Sequence, residues 1–207
     1  MKFPELDEAA KAYAVEKYNY TNDRWWSDGV IEMAKDDGRE LGFNIDKVYF
    51  SGFWSQGDGA SWVGHIDVVK WCTNQMEADP QYYMWAALAD HGDYMNSKVG
   101  ITQSGQYTHR YTMVCDANDL YPDDTAVYSN PDYPIFIGQN VNDMIASVGG
   151  DNGLDDLLRD MLDSARDYAV KIYADLEKEY EYLSSEEAFA ETAESNEWSF
   201  DETGEME

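Results

Sequence analysis

A chain that carries 42 Asp and Glu against 14 Lys and Arg, a formal net charge of -28, has to fold against its own repulsion. Few aromatic residues at such a charge would mean an unfolded acidic polymer. Here 7 Trp, 16 Tyr and 7 Phe, within 43% hydrophobic residues, supply material for a core. A length of 207 residues suits one domain, or a large domain with a tail. Self-repulsion still costs stability, so added salt is expected to raise the melting temperature. The same charge repels nucleic acid and anionic membranes and favours partners with basic surfaces.

Cys72 and Cys115 are too few for a disulfide framework and show no CxxC spacing, which points to a reducing cytoplasm, with a single bridge left open. Met1 to Glu5 shows no basic region followed by an apolar run, and no window approaches the roughly 20 apolar residues that span a bilayer. The expectation is a soluble intracellular protein that meets no membrane.

Between Pro4 and Gly42 the pattern predicts two helices separated by residues 19–22. The first carries a weak stripe of Ala9, Ala10, Tyr13, Ala14 and Tyr18. The second, capped by Thr21 or Asn22, is expected to dock Trp25, Trp26, Val30, Met33 and Leu41 on a sheet and to end at Gly42. Residues 47–54 and 60–66 are rich in β-formers around a turn-forming stretch, a hairpin signal. Residues 68–91 return to helical spacing and are divided at Pro80; residues 99–102 and 107–114 predict a second hairpin. Residues 116–153, with Pro122, Pro131 and Pro134, predict a long loop with a short helix near 141–148. From Leu154 to Leu183 apolar residues recur at 3, 4 and 7, an amphipathic helix of roughly eight turns. The expected fold is α+β, one domain over residues 1–183 with a small antiparallel sheet of about four strands in two hairpins, packed by helices. Residues 184–207, Glu-rich and without a base, are expected to form a flexible acidic tail.

The least generic stretch runs from Phe50 to Trp62. Glycines around Asp58 bring backbone N–H groups together, and Trp54, Gln56, Asp58 and Ser61, with His65 and His109, compose a candidate polar ligand pocket. The competing reading is a tight hairpin turn with aromatics packed across the strands. No GK[ST] follows, so it is not a phosphate-binding loop. His65, His91 and His109 with Asp58 would make a metal site only if the strands converged; no HExxH or Cys/His cluster supports one, and neither metal nor cofactor is expected. Asp67 serves equally well as a helix cap. Ser51, Ser55, Ser61, Cys72 and Cys115 are candidate nucleophiles, but none sits in a motif that fixes catalytic geometry, so no catalytic residue is assigned.

The run FSGFWSQGDGAS resembles a motif of uncharacterised small proteins encoded by bacteriophages, in which a similar hairpin precedes a His-containing strand like residues 107–111. The likeness covers residues 47–114. It implies a phage genome, a bacterial cytoplasm and interference with a host system, and carries over no activity.

Along the long helix, Asp155, Asp156, Asp160, Asp163, Asp167, Glu177 and Glu181 share the polar face. Carboxylates one or two turns apart lie roughly 5–10 Å from one another, comparable to phosphates along a nucleic-acid strand. Such a face competes for a basic groove. The leading expectation is therefore a non-catalytic inhibitor of a basic host protein that handles nucleic acid or serves defence, itself binding no nucleic acid. The alternatives are a nucleotide-type ligand or enzymatic domain at the hairpin, and an assembly protein that dimerises through the helix stripe. Halophilic adaptation would produce the same composition.

Overall fold

The computed structural model describes residues 1–19, 21, 25–79, 81–90, 96–115, 119 and 153–207. The chain divides into two compact units, one of Met33–Tyr173 and one of Met1–Glu32 with Ala174–Glu207, where the sequence predicted one domain and a tail. Among the described residues there are six helices: α1 Glu8–Tyr18, α2 Asp28–Glu40, α3 Val68–Gln75, α4 Gln81–Asp90, α5 Gly153–Leu183 and α6 Glu186–Ser195. The strands are β1 Phe43–Phe50, β2 Ala60–Asp67, β3 Lys98–Gln103 and β4 Met113–Val114. With one four-stranded antiparallel sheet in the order β1-β2-β3-β4, the fold is α+β.

The sheet belongs to the unit Met33–Tyr173. In β1 the buried positions run Phe43, Ile45 and then Val48, and the slip from period two is explained by a register shift between Ile45 and Lys47. Gly64 lies opposite: a Cβ there would stand 2.1 Å from the Asn44 carbonyl oxygen, so only glycine lets β2 close on the irregular strand. On β2, Trp62 is fully buried and its indole Nε1–H donates to the Ala165 carbonyl of α5 at 3.1 Å. Leu157, Met161, Ala165, Tyr168, Ala169 and Ile172 are buried at helical spacing, and the Tyr168 hydroxyl donates to the Ala34 carbonyl at 2.6 Å. Asp67 caps α3 by accepting from the Lys70 N–H at 2.9 Å. Trp71, Cys72 and Trp85 of α3 and α4 are buried in the same unit.

Three expectations are corrected here. α2 begins at Asp28, beyond Thr21, whose N–H instead bonds the Asn19 side chain; it buries Ala34 and Gly38 while Trp25 is 73% and Met33 64% exposed. Small residues win because a Cβ on Gly38 would already stand 3.2–3.3 Å from Ile45, Phe43 and Tyr168. The first hairpin closes through residues 51–59, a longer connection than a tight turn. The second keeps only Met113–Val114 as a strand, because the His109 side chain and carbonyl take the N–H groups of Tyr111 and Thr112 and form a 3-10 turn at Arg110–Thr112. The long loop, its short helix and His91 lie outside the described residues.

The other unit contains the expected tail, and the tail is ordered. Phe3, Leu6, Ala10 and Ala14 share a buried core with Phe189, Ala193 and Phe200. Phe3 meets Phe189 edge-on with ring centroids 4.9 Å apart and Phe200 at 6.1 Å. Asp7 caps α1 and Ser185 caps α6. The Lys17 ammonium holds Glu205 at 2.5 Å, and the Tyr13 and Tyr18 hydroxyls donate to the same carboxylate. Apolar residues at 189, 193, 198 and 200 outweigh the surrounding glutamates because α1 presents Ala10 and Ala14 to them.

Candidate functional site

Of the six residues assigned to a pocket, the structure brings Asp58 and His109 together. They line a cleft of about 290 Å³ together with Arg110, Ala60, Ala169, Val170 and Tyr173. Asp58 is held by its own loop: its Oδ2 accepts from the Ser55 N–H at 2.7 Å, and its N–H donates to the Ser55 carbonyl at 3.1 Å. Ser51 ties the loop base, its Oγ accepting from the Gly59 N–H at 3.1 Å. Gly59 has no room for a side chain, because a Cβ would meet His109 Cδ2 at 2.9 Å. The imidazole thus packs on the glycine, stacks on Tyr111 with centroids 5.1 Å apart, and accepts at Nδ1 from the Tyr111 N–H at 3.3 Å. An accepting Nδ1 leaves the proton of the neutral ring on Nε2. The Tyr173 hydroxyl donates to the Gly52 carbonyl at 2.9 Å.

The other four do not join them. Trp54 is 70% exposed and lies edge-on to Phe53; Gln56 is exposed. Ser61 is sealed inside, and strand alternation turns it to the face opposite Ala60 and Trp62. His65 is half-buried in β2, opposite Asn44 and Gly100. Among the described residues no three His, Cys, Asp or Glu converge as metal ligands. Of the candidate nucleophiles, Ser51 is engaged in the loop, Ser61 is sealed, and burial pushes the Cys72 thiol up to about 12, which makes it inert at neutral pH. Arg110 and Tyr173 were missed: the first looked like an ordinary strand residue, the second part of an apolar helix stripe.

The acids predicted on α5 divide into two sets. Asp156 pairs with Arg159 at 2.7 Å, Asp163 with Arg166 at 3.4 Å and Asp167 with Arg110 at 3.5 Å, while Asp160 accepts from the Tyr82 hydroxyl at 2.9 Å. Burial first, and then this bond to Asp160, raise the Tyr82 phenol above its ordinary range. Arg166 also donates to the Met113 carbonyl at 3.0 Å, so these charges join α5 to the short strand β4. Asp155 is exposed. Glu177 and Glu181 fall in the other unit.

That other unit, 66 residues long, contains 20 Asp and Glu against 5 Lys and Arg. Three of its four lysines are committed: Lys11 to Glu8 and Glu186, Lys17 to Glu205, and Lys2 to the carbonyls of Glu197 and Trp198. Glu187, Glu191 and Glu194 on α6 make no ion pair among the described residues and are exposed. Their field reaches Tyr182, whose hydroxyl donates to Glu191 at 3.3 Å. The phenol is raised by the charge of Glu191 first, then by that bond, with Glu187 and Glu179 adding to it.

The architecture is thus an α+β domain joined to a strongly acidic unit, and no helix among the described residues is long and apolar enough to cross a membrane. Residues 25–186 match the family described as a domain of unknown function, DUF8835, and the chain belongs to that family. No curated protein and no solved structure matches the chain. All seven residues of the Phe3–Phe189–Phe200 core lie outside the matched span.

Proposed function

We propose that this protein is a non-catalytic inhibitor, encoded by a bacteriophage and working in the bacterial cytoplasm, that occupies a basic nucleic-acid-handling or defence protein by imitating nucleic-acid charge. The observation that carries the reading is the segregation of charge: 20 acids against 5 bases in 66 residues, with Glu187, Glu191 and Glu194 exposed on successive turns of α6. Residues spaced by three and four share one helix face, and one turn advances about 5.4 Å. These acids, with Glu177 and Glu181, replace those at 155–167 as the working surface, because three of the latter already have an arginine. The resemblance of residues 50–61 to phage proteins supports the choice of a host target. The test is capture of basic proteins from bacterial lysate, repeated with excess duplex DNA and with Glu187, Glu191 and Glu194 changed to Lys. A nucleic-acid-binding protein displaced by DNA and lost by the triple variant is expected; retention by the variant would remove α6 from the reading.

A second reading has its own observation, the convergence of Asp58 and His109 on one cleft. A cleft lined by apolar side chains together with a carboxylate, an imidazole and a guanidinium suits a small ligand without net negative charge. Calorimetric titration with nucleosides and with nucleotides discriminates: binding of neither removes this reading.

A further inference from the structure

The acidic unit contains a groove of about 520 Å³ lined by Phe3, Pro4, Ala193 and Trp198 together with Glu194 and Glu197. The groove follows from how α6 ends. The Trp198 N–H bonds the Ala193 carbonyl at 2.9 Å and the Glu197 N–H bonds the Glu194 carbonyl at 3.0 Å, the paired bonds of a Schellman motif. That motif requires a left-handed residue at position 197, normally glycine. Here it is Glu197, with φ 58, the one non-glycine residue with positive φ among the described residues. Glycine would close the helix with less strain, so a glutamate at this place is not explained by the fold.

Lys2 also lines the groove, but its ammonium is spent on the carbonyls of Glu197 and Trp198 at 2.9 and 3.2 Å, where it closes the negative end of α6. The carboxylates of Glu194 and Glu197 make no ion pair among the described residues. The groove therefore offers apolar side chains and two carboxylates together, in a unit where acids outnumber bases four to one.

We infer that this groove docks a basic peptide segment: an extended stretch of the target protein that seats one bulky apolar side chain between Pro4 and Trp198 and places Arg or Lys beside it against Glu194 and Glu197. The inference rests on the charge-mimic reading and deepens it. Charge on α6 supplies long-range attraction, whereas an apolar anchor supplies the short-range selectivity that charge alone lacks. The complementarity is of both kinds, apolar to apolar and anionic to cationic, which excludes an acidic segment and disfavours a plain polycation. The groove residues lie outside the span shared with the family, so the docking site belongs to the part of this chain that the family description does not cover.

The test uses the full chain, panned against a random dodecapeptide library at about 0.15 M salt. Enrichment of peptides with a bulky apolar residue and Arg or Lys within three positions is expected. The selected peptides are then measured by fluorescence anisotropy against two variants. Glu197→Gly relieves the left-handed strain, so its melting temperature rises by about 2–4 °C while its affinity falls by about tenfold. Glu197→Gln keeps the backbone and weakens binding without the gain in stability. A rise in melting temperature with unchanged affinity overturns the inference, as does enrichment of acidic or purely apolar peptides. The two readings fail separately. If peptides ignore Glu197 while lysate capture still depends on Glu187, Glu191 and Glu194, the groove falls and charge mimicry stands. If peptides depend on Glu197 but no DNA-displaceable protein is captured, mimicry falls and the groove stands.

Discussion

Acids 156–167 of α5 and acids 187–194 of α6 are alike in the sequence and opposite in the structure. On α5, Asp156, Asp163 and Asp167 face Arg159, Arg166 and Arg110, and Asp160 takes the Tyr82 hydroxyl. On α6, Glu187, Glu191 and Glu194 face no cation among the described residues. An exposed pair stabilises by about 0–1 kcal/mol, so the first set contributes modestly to the fold. Apart from the bond that Glu191 accepts from the Tyr182 hydroxyl, the second set adds repulsion to its own unit, which leaves its attraction available to another molecule. The lesson is that counting carboxylates misplaces a charged surface: what counts is which carboxylates lack a cation.

The comparison breaks first if α6 is not held by a real core. Phe200 is fully buried with Phe3 and Phe189, and Phe200→Ala is expected to cost about 3–5 kcal/mol. Hydrogen exchange should then show α1 and α6 losing protection together; an α1 that keeps its protection would refute the shared core. Next comes the charge itself. Lys at 187, 191 and 194 should weaken binding to a basic partner by about 10–100-fold, whereas Lys at 163 and 167 should leave binding within about threefold and lower stability by about 1–2 kcal/mol through exposure of Arg166 and Arg110 to like charge. The reverse pattern would return the working surface to α5. A smaller effect is expected from salt. Raising it from about 0.02 to 0.3 M screens the uncompensated acids, so exchange in α6 should slow more than exchange in β2. Equal slowing would mean that repulsion is not concentrated where the acids lack cations.

Much of this fold was legible because its signals are local. Runs of β-formers marked β2 and, four residues displaced, β1, which was expected at 47–54 and lies at Phe43–Phe50; Asp67 before an apolar helical pattern marked the start of α3, and the 3-4-7 recurrence marked α5. What escaped depends on contacts remote in sequence. Phe189 and Phe200 read as isolated aromatics in a glutamate tail until Ala10 and Ala14 are placed against them. The strand expected at 107–114 gave way to the bonds of His109, whose competition with the ladder no periodicity reveals. On α5 the partners of Asp167 and Asp160, Arg110 and Tyr82, lie far off in sequence, whereas Arg159 and Arg166 stand three residues from Asp156 and Asp163, and that local pairing was legible but not read. The cleft was half legible: Asp58 and His109 stood out as polar, Tyr173 hid in an apolar stripe, and Ser61 and His65 were drawn in by proximity along the chain although the pleat turns Ser61 away from the cleft face.

The smallest effect tests an acid of this unit that is matched by a lysine and two tyrosines. Glu205 receives the Lys17 ammonium and the Tyr13 and Tyr18 hydroxyls, and these bonds, the lysine first, hold its carboxyl down at about 2; the same bonds raise Lys17 above its ordinary range. A carboxylate whose pKa is depressed on folding contributes stability that is fully present above its unfolded value of about 4.5 and is lost as the pH falls towards 2. A lysine whose pKa is raised contributes stability present below about 10.5 and lost as the pH rises beyond it. Both limbs report one interaction, so the Glu205→Gln curve should lack both: the stability difference between parent and variant should be constant from about pH 5 to 10 and shrink towards either end. Glu191→Gln should instead stabilise the unit slightly at neutral pH, because it removes repulsion and no ion pair. A Glu205→Gln curve parallel to the parent at every pH would mean that Glu205, too, is only surface charge, and the distinction between matched and unmatched acids would lose its clearest member.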